Sequence, residues 1–276
     1  MILRIRNIMK GVATAIAAVW LSGTASAATH AIIFASDYGS SKSIAKLANA
    51  SFDGRLIYEA FLKAGVTDIQ LVLDADADVW EKELRSLLAR TGSKDTVIFY
   101  YAGHGLQVAG ANYFVAADGE TLIGVDPVIS LIASHVEATV MIIDACRNNP
   151  FRTPDEVALK IDPAIGGSRS LPLLSIGEVR KAPRGLAQLG ELRGMSAMVL
   201  FSTEPGNVAA DGETGKGSPF ATVVARELVR RASLNTVIRR ISLAVNKVTG
   251  GQQSPWRQGD LPFDVYVAGM PNFPAP

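Results

Sequence analysis

The chain has 276 residues, with 27 Lys and Arg against 26 Asp and Glu and 48% hydrophobic residues. That length suits one large domain or two small ones, and the apolar fraction suffices for a buried core, which excludes a disordered chain. A formal charge of +1 gives no electrostatic case for nucleic acid, and a single Cys excludes an internal disulfide and a thiolate metal cluster.

The first segment reads as an export signal. Arg4, Arg6 and Lys10 form a positive start, and residues 11–21 an apolar stretch too short to span a bilayer comfortably. Ala25-Ser26-Ala27 is a small-residue cleavage site, with cutting expected after Ala27. Removing residues 1–27 takes away three basic residues and no acidic one, so the formal charge moves from +1 to −2. No later apolar run reaches the roughly 18 residues of a membrane span, so the mature chain is expected off the membrane, periplasmic or secreted. The lone thiol of an exported chain pairs between chains, lies buried, or reacts.

Residues 30–36 form a short apolar run, read as a buried strand. Over residues 51–65, Leu56, Ile57, Ala60, Phe61 and Ala64 recur at helical spacing, and Gly65 stops the helix. A strand follows at 69–73, then a helix at 78–90 with Val79, Leu84, Leu87 and Leu88 inward. Residues 96–101 are a third strand. Residues 122–135 read as a helix with Pro127 near its start. Residues 139–143 are continuous and rich in β-branched side chains, as buried parallel strands are. Residues 147–190 hold five prolines and Gly166-Gly167 and read as a long connection. A strand at 198–202 and helices at 219–231 and 234–249 close the pattern, with Pro219 at a first helical position. This alternation predicts an α/β sandwich around a mostly parallel sheet.

Two strands end in polar punctuation. The third runs into Ala102-Gly103-His104-Gly105, and the fourth into Asp144-Ala145-Cys146-Arg147. Ligands gather outside the carboxyl ends of strands in open α/β sheets. If the two strands are neighbours, His104 and Cys146 meet there as an imidazole beside a thiol, the best side-chain nucleophile near neutral pH. The bland alternative for Cys146 is an inert buried small hydrophobe. His30, beside the new N-terminus, and His135, at a helix end, receive no functional role.

Six stretches occur in a family's order: YYAGHG at 100–105, NYF at 112–114, DACRNNPF at 144–151, TEPGNVAADG at 203–212, GSPF at 217–220 and QQSPW at 252–256. Through them the chain resembles the caspase-like cysteine peptidases (peptidase C14), including bacterial metacaspase and paracaspase relatives. Residues 36–49 depart from that pattern, lacking the usual glycine-asparagine turn. The resemblance implies a three-layer sandwich with a sheet of about six strands. It also implies one caspase-like domain over 28–276, with a large-subunit-like part at 28–150, a linker at 151–190 and a small-subunit-like part at 191–276. Cys146 is then the nucleophile and His104 the general base and acid, working as a dyad. The backbone N–H groups of Gly105 and Cys146 form the oxyanion hole. The substrate is a polypeptide. No organic cofactor and no metal are implied; some metacaspases need calcium, for which the sequence assembles no acidic cluster.

The resemblance also bears on specificity. Caspases that cut after Asp frame the P1 carboxylate with two Arg and a Gln. The corresponding positions here are Leu47, Asp211 and Asp144, and Asp53 opens the first helix beside them. Asp53, Asp144 and Asp211 therefore make a pocket of reversed sign, expected to repel a P1 Asp and to favour Arg or Lys. Asp53 also suits a first helical turn, and Asp211-Gly212 a simple turn. The basic connection over 147–184 carries an expectation of self-cleavage. One rival to an endopeptidase is a catalytically silent caspase-like module that binds a protein partner; a second is a thiol hydrolase on the same α/β frame that acts on small amides.

Overall fold

The computed structural model describes residues 27–108, 111–146, 157–160, 173–178, 186, 189, 192, 194–205, 207 and 209–270. In chain order the elements are β1 (Thr29–Ala35), α1 (Ala50–Ala64), β2 (Asp68–Leu73), α2 (Ala77–Arg90), β3 (Thr96–Val108), β4 (Ala111–Val115) and β5 (Thr121–Gly124). There follow α3 (Val125–Ala133), β6 (Ala138–Cys146), β7 (Val157–Lys160), β8 (Leu173–Glu178), β9 (Ala197–Phe201), α4 (Pro219–Leu228), α5 (Leu234–Val248) and β10 (Trp256–Asp260).

Six strands form the central sheet, in the order β2-β1-β3-β6-β9-β10. All pair in parallel except β10, which runs antiparallel to β9 at one edge. Side chains alternate across the sheet. Phe34, Phe99, Tyr101, Met141, Ile143 and Val199 pack with α2 and α3 on one face. Ile33, Ile98, Tyr100, Ile142 and Leu200 pack with α1, α4 and α5 on the other. The result is three layers, with both sheet faces covered, which is why β1 and β6 read as unbroken apolar runs. Trp80 of α2 is fully buried and stacks on Phe34 at 3.8 Å between ring centroids. Burying such a side chain is worth roughly 1.5–3 kcal/mol.

Local chemistry sets the helix ends. Gly65 adopts φ +91°, a conformation that ends α1 at little steric cost. Asp76 caps α2 by accepting from Val79 N–H at 2.9 Å. Ser218 caps α4 by accepting from Ala221 N–H at 2.8 Å, with Pro219 at the first helical position.

The structure corrects several expectations. The helix expected over 122–135 starts at Val125; Thr121–Gly124 pair instead with β4. Proline lacks an N–H and is tolerated only in a first turn, so the helix begins close before Pro127. Strand β3 runs on past Tyr101 to Val108, because Gly103 and Gly105 sit in extended backbone rather than in the turn they suggest. Beyond His104 it turns away into an antiparallel set ordered β3-β4-β5-β8-β7. Two of these strands, β7 and β8, lie inside the stretch read as a connection. Strand β10 escaped prediction because Arg257, Gln258 and Asp260 suit an exposed edge and break any apolar alternation.

Candidate active site

Strands β3 and β6 pair in parallel over nine residues, and the last pair is His104 with Cys146. Neighbouring strands lie about 4.8 Å apart, so the two backbones stand side by side at the carboxyl end of the sheet. His104 is buried, with Nε2 at 2.7 Å from the Ala45 carbonyl oxygen. A carbonyl only accepts, so Nε2 carries the proton and Nδ1 keeps its lone pair. Burial lowers the His104 pKa, against the opposing pull of the Ala45 hydrogen bond and the Asp211 charge. The ring is therefore neutral near pH 7 and available as a base. Sequence reading found no third member for the pair; the structure supplies a backbone carbonyl, which no side-chain pattern signals.

Gly105 follows His104 and lies under Leu186. A Cβ at Gly105 would sit 2.8 Å from Leu186 Cγ and Cδ1 and 3.1 Å from Ala145 Cβ. A larger residue at this position would have to displace the Leu186 side chain.

Asp53, Asp144 and Asp211 come together around one cavity, with Leu47, Ala50, Ala102, Gly103, Ala209, Ala210 and Ser218 completing its walls. Three distant segments thus meet: the start of α1, the end of β6, and the loop before α4. The cavity holds about 20 Å³, room for about one water. Asp53 and Asp144 are nearly inaccessible to solvent, at 2% and 7% exposure. Ser218 ties them together: its N–H donates to Asp53 Oδ1 at 2.9 Å and its hydroxyl to Asp144 Oδ2 at 2.6 Å. Tyr100 OH donates to the same Asp144 oxygen at 3.4 Å. Burial raises the Asp53 pKa, and the charge of Asp144 raises it further, while the Ser218 N–H pulls it down. Burial also raises Asp144, with the Ser218 hydroxyl opposing. Two carboxyls so placed resist ionising together.

Asp211 is half-buried, and its Oδ2 accepts from Ala48 N–H at 2.8 Å. Asn49, fully buried before α1, holds the loop around it. Its Nδ2 donates to the carbonyls of Asp211 at 2.7 Å and Glu213 at 3.0 Å, and its Oδ1 accepts from Gly215 N–H at 2.7 Å.

Sequence reading missed Ser218 and Asn49 as site residues. Ser218 was legible as a helix cap before Pro219. Asn49 had no signal, because its partners lie more than 160 residues away. His30, given no functional role from the sequence, is buried, with Nδ1 at 2.5 Å from Asp68 Oδ2 and Nε2 at 3.0 Å from Asp95 Oδ2. Trp256 stacks on the core ring of Phe201 at 5.7 Å. The expected export signal and most of the basic connection lie outside the described residues. Among the described residues, no three His, Cys, Asp or Glu side chains are arranged to hold a metal ion.

A family model described as the caspase domain of peptidase C14 matches residues 28–266. No curated protein matches the chain.

Proposed function

Since the chain belongs to the caspase-domain family of cysteine peptidases, we propose that it is an exported endopeptidase whose Cys146–His104 dyad cleaves polypeptides after Arg or Lys. The observation that carries this reading is the pairing of His104 with Cys146 at the ends of two adjacent parallel strands. The thiol proton passes to His104 Nδ1 and the sulfur attacks the scissile carbonyl carbon. The backbone N–H groups of Gly105 and Cys146 hold the oxygen that becomes negative in the tetrahedral intermediate. As the intermediate collapses, the leaving amine takes the proton from His104. Water, giving its proton to the same imidazole, then hydrolyses the thioester and restores the thiol.

The specificity rests on the carboxylates of Asp53, Asp144 and Asp211 around one cavity. A guanidinium or ammonium there replaces the proton that Asp53 and Asp144 hold between them, whereas a P1 carboxylate adds a further buried like charge. At about 20 Å³ the cavity is too small for such a side chain as it stands, so its walls must move apart on binding. Support for export comes from the basic start, the short apolar stretch and the small-residue cleavage site of residues 1–27.

Fluorogenic peptides ending in Arg, Lys and Asp, with Cys146→Ala as the blank, test the reading. Turnover of the Arg and Lys peptides alone is expected. Preference for the Asp peptide would overturn the charge argument. No turnover of any peptide, with a Cys146 inert to thiol reagents, would leave a non-catalytic module instead.

A further inference from the structure

We propose that Tyr38 and Tyr101 form a phenol clamp on the backbone of His104, making Tyr38 a positioning residue for the dyad. The role in catalysis rests on the peptidase reading above; the clamp itself does not.

The need for a clamp follows from the strand pairings. On one side β3 is paired by β6 as far as His104. On the other side β1 pairs it only to Ala102, and β4 begins at Gly105. On that side, among the described residues, Gly103 and His104 lie between the last β1 pair and the first β4 pair, with no strand alongside them. Buried backbone polar groups in such a gap need other partners. The two phenols provide them. His104 N–H donates to the Tyr38 hydroxyl oxygen at 2.9 Å, and Tyr101 OH donates to the His104 carbonyl at 2.7 Å. The two hydroxyl oxygens are 2.8 Å apart, and Tyr38 OH lies 2.9 Å from the Val115 carbonyl at the end of β4. The phenols bridge the residues after β1 to the last residue of β4 and take the place of a missing piece of strand.

Three further observations point the same way. The Tyr38 ring lies against the imidazole itself, with centroids 4.7 Å apart and planes 31° from parallel. Gly103 has no side chain because a Cβ there would sit 2.5 Å from Tyr101 Oη and 2.7 Å from Tyr38 Oη. Tyr38 itself adopts φ +57°, a left-handed conformation that a bulky residue takes only when its surroundings compel it. Backbone strain at Tyr38 and the absence of a side chain at Gly103 serve one end, which is two phenol oxygens on one peptide unit. The clamp holds the backbone of His104, and with the Nε2 bond to Ala45 it fixes where Nδ1 lies.

The test uses Tyr38→Phe, which keeps the ring and removes the oxygen, with Tyr101→Phe as a second arm should the first fail to fold. The chain has only three His, so NMR titration of the imidazoles is assignable with a His104→Gln reference. In either variant the His104 titration is expected to shift from the wild-type position, because both its burial and its Ala45 bond depend on where the ring is held. On the Arg peptide, kcat is expected to fall about tenfold or more with KM within about twofold, since loosening affects alignment rather than P1 binding. A folded variant with the wild-type titration and wild-type kcat overturns the clamp. If wild type cleaves no peptide but the titration still moves, the peptidase reading fails and the clamp stands.

Discussion

His104 stands beside Cys146 as the last register pair of β3 and β6, although 42 positions separate them along the chain. If they act as one unit, Cys146→Ala and His104→Gln should each lower kcat/KM by about 10³-fold or more, and the double variant should fall little further. Losses that multiply in the double variant would show that the two residues act separately.

Asp53 and Asp144 face each other across Ser218, and burial pushes Asp53 up to about 8 and Asp144 up to about 6, against an ordinary value of 3.8. Above pH 3.8 the unfolded chain releases protons that the folded pair still holds. Their contribution to stability is therefore full below that pH and declines as the pH rises toward 8. Asp53→Asn removes one of the like charges. It should flatten the decline and raise the melting temperature at pH 8. The same pair should make kcat/KM for an Arg peptide rise from pH 6 to 8, since a P1 cation binds best to ionised carboxylates. Burial also lowers the His104 pKa, and Asp53→Asn, which leaves His104 in place, separates the carboxyls' part of the rise from the imidazole's. Identical pH profiles for wild type and Asp53→Asn would count against this assignment.

Ser218 serves both the helix and the pocket. Its hydroxyl accepts from Ala221 N–H at 2.8 Å and donates to Asp144 at 2.6 Å. Ser218→Ala should lose about 1 kcal/mol of capping, a drop of about 2–4 °C in melting temperature. It should also lower kcat/KM for Arg and Lys peptides, because Asp144 loses its closest partner. Ser218→Gly, with its smaller capping penalty, should show the same kinetic loss. Full activity in both variants would confine Ser218 to the helix.

His30 clasps β1 to the first residue of β2, Asp68, and to the residue before β3, Asp95. Burial alone would raise Asp68, but the hydrogen bonds of His30 and Arg90 outweigh it and hold its pKa low. Burial likewise opposes the low pKa of Asp95, which is held by the N–H groups of Ala28 and Gly92 and by His30. Depressed carboxylates contribute stability above their ordinary pKa and lose it as pH falls through the lowered value. His30→Gln should therefore lower the melting temperature near neutral pH and have progressively less effect as the pH falls through the lowered carboxyl values and both become protonated. A penalty that grows toward low pH would sink the clasp.

Much of the fold was legible because it is written in near neighbours. The apolar runs of β1 and β6, the helical spacing of Leu56 to Ala64 and the stop at Gly65 are local patterns. The elements that went unread, β4, β7, β8 and β10, are short or polar and take their form from partner strands. Residues 121–124 show the same limit: Leu122 and Ile123 suit a helix or a strand, and pairing with β4 decided for the strand.

For the site, the sequence by itself determined which reactive side chains exist, a lone thiol and few imidazoles, and that both follow apolar strands. It also determined the acidic character of Asp53, Asp144 and Asp211. Only the tertiary structure decided that His104 and Cys146 share a register position, that the carboxylates surround a nearly closed cavity, and that Tyr38, Ala45, Asn49 and Ser218 hold the parts in place. The physical reason is reach. Periodicity and capping act over a few residues, whereas these contacts join segments up to 166 residues apart, and their geometry exists only once the sheet and its helices have packed.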